Sequence, residues 1–186
     1  MVVLLVGAFQ VGRLFERPGG LEMMLPWFSE FIPDDEPEQE QVEIISGRPR
    51  VSDGDSLEFP NRRVRLFGID AFERGQKCED KEGRRFPCGH VAMRALESMV
   101  RGKVVECEVR AIDSYERAVS VCRIGRTDLA AELVREGYAV AYRRYSRAYI
   151  VLEREARAAG RGAWSGTFED PWEWRQRNLS ADGRRR

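Results

Sequence analysis

From Val42 the chain alternates apolar and polar residues in short runs broken by Gly and Asp. In "VEIISGRPRVSDGDSLEF" this period of two predicts two strands joined by a tight turn at "SDGDS". A third strand is predicted over "RRVRLFGID". The period then changes. Val91, Ala95, Leu96, Met99 and Val100 recur at helical spacing, and Gly102 closes that helix. "KVVECEVRAI" and "AVSVCRIG" read as strands four and five. "TDLAAELVREG" is a short helix capped by Thr127 or Asp128 and closed by Gly137. "RAYIVLEREARAAGRG" is a last helix ending near Gly160.

Five strands with a helix between the third and fourth, followed by two helices, is the order of an OB-fold barrel. The expected class is therefore α+β: a five-stranded OB-fold barrel with three helices. Flanking segments follow a different pattern. Residues 1–41 read as an N-terminal extension, residues 42–165 as the folded domain, and residues 166–186 as a Trp- and Arg-rich C-terminal extension. "MVVLLVGAF" is apolar for only nine residues, too short to span a bilayer, and fits a remnant of a signal or anchor or a buried segment. "LEMMLPWFSEFIPDDEPEQEQ" ends as an acidic, Pro-containing linker; its apolar residues suit a short amphipathic helix or an unstructured tail. "FEDPWEWRQR" is expected either to pack back on the barrel or to dock a partner, and "DGRRR" to be a solvated tail.

Charge changes the picture. The 186 residues balance 31 basic against 31 acidic groups, which argues against a polycation that coats nucleic acid. The balance is uneven along the chain: residues 1–43 hold two Arg and nine Asp or Glu, a net of −7, so the rest carries +7. All basic residues but Lys77, Lys81 and Lys103 are Arg, the side chain whose planar fork suits phosphate. His90 is the only histidine, so a multi-histidine zinc site is excluded and hydrolysis has to rest on carboxylates, arginines and a hard cation.

The four cysteines form no CxxC pair. Cys78 and Cys88 bracket a polar loop. Cys107 and Cys122 are equidistant from a hairpin centre between Ser114 and Tyr115, which sets them opposite each other at a spacing a disulfide can bridge. Four reduced thiols are the alternative; register and loop closure favour two disulfides, and with them an exported protein, periplasmic, secreted or membrane-anchored.

Residues 51–75 concentrate the chemistry. Asp53, Asp55, Asp70 and Glu73 lie among Arg62, Arg63 and Arg65 in a strand-like setting. Such a stretch makes either surface salt bridges or a site for a cation and a phosphate. The separated motifs "SDGDS", "VRLFGIDAFERG", "DSYERAVS", "LVREGYA" and "GAW" occur in an order that resembles the staphylococcal nuclease family, over residues 42–165. The resemblance implies a calcium-dependent phosphodiesterase acting on DNA, RNA or both. It implies that Asp55 and Asp70, with the main-chain carbonyl of Ala71, bind calcium. It implies that Arg65 and Arg117 bind phosphate and that Glu73 orients or deprotonates the attacking water. Tyr142 and Tyr145 resemble nucleotide-contacting tyrosines, with Arg143 and Arg144 placed for phosphates; Tyr138 and Tyr149 are expected in the core. Trp164 is expected to anchor the last helix.

Three departures from the family pattern stand out. Ala71 replaces a threonine whose main-chain carbonyl binds the metal, a carbonyl that Ala71 could still supply. Phe72 replaces a proline, which would loosen the turn before Glu73. Glu116 replaces a glycine before Arg117, in a turn that suits positive φ, where it could pair with Arg117. The competing reading is a nucleic-acid-binding module of this fold with weak catalysis. Presence of all five charged groups favours the enzyme.

Overall fold

The computed structural model describes residues 42–183, and side chains as far as residue 178. Expectations for residues 1–41 and for the final arginines lie outside the described residues. Strands β1 (Ile44–Gly47), β2 (Arg50–Asp53), β3 (Ser56–Phe59) and β4 (Arg62–Leu66) come first, followed by β5 (Ile69–Ala71), β6 (Cys78–Glu79) and β7 (Arg85–Phe86). Helix α1 (Cys88–Val100), the long hairpin β8 (Val105–Ile112) and β9 (Ala118–Ile124), and β10 (Thr127–Asp128) follow. Then come α2 (Leu129–Arg135), β11 (Ala139–Ala141), α3 (Ile150–Ala158), a 3-10 turn (Gly162–Ser165) and α4 (Pro171–Gly183).

The main sheet runs β1-β8-β9-β4-β3-β2, with β10 added to β9. Its pairs are antiparallel except β4 with β9, which are parallel. Parallel closure of β4 on β9 curls the sheet into a half-barrel, the OB-like arrangement the pattern predicts. Alternation decides the faces: in β4, Val64 and Leu66 are buried while Arg63 and Arg65 point the other way. Leu57, Val64, Leu66, Leu96, Val105 and Leu133 are among the buried side chains of the main core between the sheet and helices α1 and α2. Asp128 caps α2, its carboxylate accepting the Ala131 N–H at 3.1 Å.

Three features differ from the sequence pattern. The predicted third strand breaks at Phe67–Gly68, where Gly68 takes φ +74°, and its second half leaves the main sheet as β5 to pair with β11. Short strands β6, β7, β10 and β11 are too brief to show a period. Beyond the three expected helices, the C-terminal extension forms a fourth, α4. Both predicted disulfides are present, Cys78–Cys88 and Cys107–Cys122, the latter joining residues in direct cross-strand register.

Candidate active site

Two turns bring the acids together. The β2–β3 turn delivers Asp55, and the break at Gly68 redirects the chain so that Asp70 opens toward the same point. The Asp55 carbonyl accepts the Leu66 N–H at 2.8 Å, which ties this turn to the end of β4. Arg65 completes the group. One guanidinium nitrogen lies 2.9 Å from Asp55 Oδ2 and 2.9 Å from Asp70 Oδ1, so the two oxygens are no further apart than the sum of those lengths. Asp55 and Asp70 are both buried. Burial weighs against the Arg65 charge, but Asp55 and Asp70 outweigh it and raise its pKa. Asp53, next to the cluster, is raised by burial and by the Asp55 charge, although its carboxylate accepts the Gly54 N–H at 2.8 Å.

Glu73 follows β5 on a loop held from several sides. Its N–H donates to the side-chain oxygen of Gln76 at 3.1 Å, and its carbonyl accepts the Gln76 N–H at 2.7 Å. Gln76 is fully buried and donates its amide to the Glu169 carbonyl at 2.6 Å. Gly89 at the start of α1 presses on the same loop, and a methyl group there would collide with the Glu73 carbonyl. Burial raises the Glu73 pKa against the lowering effect of an arginine bound to it.

That arginine is Arg175, on α4. It forms a two-pronged pair with Asp70, Nη1 to Oδ1 at 2.9 Å and Nη2 to Oδ2 at 2.8 Å, and Nη1 also lies 2.5 Å from Glu73 Oε1. The pairs outweigh the burial penalty and raise the Arg175 pKa. Nothing in the order of motifs pointed to Arg175, 105 residues from Asp70. The one signal was an arginine directly after two closely spaced tryptophans in "WEWRQR".

Arg117 stands apart from this cluster. Its guanidinium is paired with Asp113, Nε to Oδ2 at 2.8 Å and Nη2 to Oδ2 at 2.7 Å, and lies over the Tyr115 ring. By strand alternation it shares a face with Val119, the register partner of Arg65 across the parallel β4–β9 pair. Its partner is Asp113 rather than Glu116. Bonds from the Arg117 guanidinium and from loop N–H groups overcome burial and hold Asp113 below the usual carboxylate range. Glu116 takes φ 60°, the one non-glycine residue with positive φ among those described.

A cleft of about 810 Å³ runs beside Asp70, lined also by Tyr142, Arg143, Arg144 and Trp172. The Tyr142 and Tyr145 rings lie 5.0 Å apart, and Tyr145 is exposed. Arg143 is paired with Glu153, and Arg144 stacks over Trp172 at 5.3 Å. Tyr149 is a core residue whose hydroxyl donates to Asp128 at 2.9 Å. Trp164 packs in a smaller apolar cluster with Phe72 and Phe168. Phe72, far from loosening its turn, is buried edge-to-face against Phe168 at 5.0 Å.

Comparison with known proteins gives the family of the chain. The family model described as staphylococcal nuclease homologue matches residues 63–166. This chain belongs to the staphylococcal nuclease homologue family. It is 34% identical over 125 residues to a probable staphylococcal-like nuclease of Oryza sativa subsp. japonica, covering 64% of this chain and 31% of the rice protein. It is 32% identical over 126 residues to a succinoglycan biosynthesis protein of Rhizobium meliloti, covering 66% of each. To the micrococcal nuclease of Shigella flexneri it is 32% identical over 150 residues, covering 71% of this chain and 80% of that protein. The chain thus spans about a third of the rice relative and about two thirds of the Rhizobium one.

The donor set suits a hard cation. The oxygens of Asp55 and Asp70 are of the kind that calcium takes, although Arg65 and Arg175 supply the positive charge beside them in this structure. Among the described residues no group of three acidic, His or Cys side chains surrounds the point, so main-chain carbonyl and water would have to complete the shell.

Proposed function

We propose that this chain is a calcium-dependent nuclease that hydrolyses phosphodiester bonds of DNA, RNA or both. The observation that carries the reading is the convergence of Asp55, Asp70, Arg65 and Glu73 at one end of the half-barrel. Asp55, Asp70 and the Ala71 carbonyl would hold calcium, which supplies charge neutralisation at a phosphate oxygen when bound. Arg65, anchored by two carboxylates, presents its remaining N–H groups to a non-bridging oxygen. Arg117 reaches a second oxygen by leaving Asp113, so its bidentate fork strengthens as charge grows on the phosphorane-like transition state. Glu73 Oε accepts the proton of the attacking water, and its raised pKa makes it a better base than an ordinary glutamate. Tyr142 and Tyr145 stack bases of a single strand, with Arg143 and Arg144 beside the backbone. Relatives named as nucleases support the reading.

Two disulfides belong to an oxidising compartment, and we read the protein as exported. Among the described residues no helix is long and apolar enough to cross a membrane.

The test is incubation of the full chain with single-stranded DNA in calcium or in excess chelator. Calcium-dependent loss of full-length strand is expected. Binding without cleavage in either condition would identify a binding module instead.

A further inference from the structure

We infer that α4 is an autoinhibitory element, and that Arg175 occupies the cation site as a built-in competitor of the divalent metal. This rests on the reading of Asp55 and Asp70 as metal ligands. Arg175 engages both oxygens of Asp70, and one of those oxygens already accepts from Arg65. A cation at Asp70 must therefore displace the fork. The same guanidinium holds Glu73, the group assigned to take the proton from water. An arginine serving as a third phosphate ligand would leave that base free; Arg175 instead neutralises it.

The way α4 is attached fits a strap. Its base is firm: Phe168 packs edge-to-face on Phe72 and Trp164, and Thr167 exchanges main-chain bonds with Glu79. Gln76 holds the Glu169 carbonyl. The helix beyond is different. Pro171 is buried, but Trp172 is 41% exposed and Glu173 is exposed. Its attachments to the site combine the Arg175 pairs and the stacking of Arg144 on Trp172 with one apolar contact, the Trp174 ring over Gly75 of the loop that carries Glu73. Arg144 is one of the arginines assigned to the nucleic-acid backbone, so α4 also engages a substrate contact across the cleft. Polar contacts on a firm base exchange more readily for a metal and a phosphodiester than an apolar interface would. Phe72 is the residue that seats this base.

Metal and strap then oppose each other reciprocally. Titration calorimetry of the full chain with calcium alone separates the possibilities. Arg175→Ala should bind calcium on the order of tenfold more tightly than wild type, and Arg177→Ala, which removes an exposed arginine paired with Glu169 just ahead of the helix, should bind as wild type. Hydrogen exchange of wild type provides the second measurement, independent of whether the variant folds: amides of α4 should exchange faster in calcium than in chelator. Unchanged or weaker affinity in a folded Arg175→Ala protein overturns the inference, as does calcium-independent exchange in α4. A protein that binds calcium but cuts no strand leaves the strap standing and removes the nuclease reading. If neither wild type nor variant binds calcium, the metal site and the strap fall together.

Discussion

At the residue scale the site depends on charges held in place rather than on charges present. Glu73 is aimed by its own backbone, and Glu73→Gln keeps shape while losing the proposed proton acceptor. A rate lower by about 10²–10⁴ is expected with an unchanged melting curve; near-wild-type cleavage of single-stranded DNA would remove Glu73 from the mechanism. The turn at Asp113–Arg117 allows two further tests. Glu116 sits at φ 60°, where a side chain costs roughly 1–2 kcal/mol and glycine's extra freedom returns roughly 0.5–1 kcal/mol. Glu116→Gly should therefore raise the urea midpoint slightly, and a clear drop would show that the glutamate side chain stabilises the turn. Asp113 has a folded pKa below its ordinary 3.8. Its contribution to stability is complete above that ordinary value and disappears as pH falls through the lower native one. Thermal melts should show Asp113→Asn less stable than wild type at neutral pH, with the gap narrowing as pH falls below the ordinary 3.8; a gap independent of pH would mean the charge is irrelevant.

At the element scale, what positions the site is the loop from Phe72 to Pro87 and the start of α1. Gln76 is its keystone, bonded at once to Glu73 and to Glu169 and wholly buried. Gln76→Ala leaves a buried donor and acceptor without partners, a loss of roughly 1–3 kcal/mol. Chemical denaturation should report that loss, and faster hydrogen exchange at Glu73 should accompany it; an unperturbed loop would show that the Cys78–Cys88 bridge alone suffices. These elements differ in how far the sequence reveals them. The β8–β9 hairpin was legible because a midpoint between Ser114 and Tyr115 determines register, and it correctly opposes Cys107 and Cys122. Asp55, Arg65, Asp70 and Glu73 were legible because they lie within two turns of one meander, and local spacing is what a sequence displays. The swing of β5 onto β11 was not, since "RRVRLFGID" keeps its alternation through a glycine whose conformation is decided by Ala139–Ala141 far downstream. Gln76 gave no signal, being one polar residue in a polar loop. Arg175 was hidden for a related reason: its partners are set by where Phe168 docks, and "FEDPWEWRQR" has no period that states a destination.

At the scale of the whole molecule, charge is distributed in a way that no single contact reveals. Residues 1–40 contain two Arg and eight Asp or Glu, a net of −6, so residues 41–186 carry +6 within a chain of zero formal charge. Residues 41–186 also form a compact unit of their own. A polyanionic substrate responds to the sum of these charges at distances beyond contact, so the acidic segment should weaken encounter with nucleic acid whatever its position. Removal of residues 1–40 should therefore tighten binding to single-stranded DNA at low salt and steepen its salt dependence. The difference should vanish near 1 M salt, where the Debye length is only about 3 Å. Anisotropy of a labelled strand, measured in chelator so that no cleavage intervenes, gives both quantities from one salt series. Equal affinity and equal salt dependence for the two proteins would show that the acidic segment does not act through net charge. A difference that survives at high salt would point to direct contact by the segment instead of its field. Because the same series is run without calcium, it also isolates binding by the positive unit from the metal chemistry proposed at Asp55 and Asp70, so the two proposed determinants of activity can be varied one at a time.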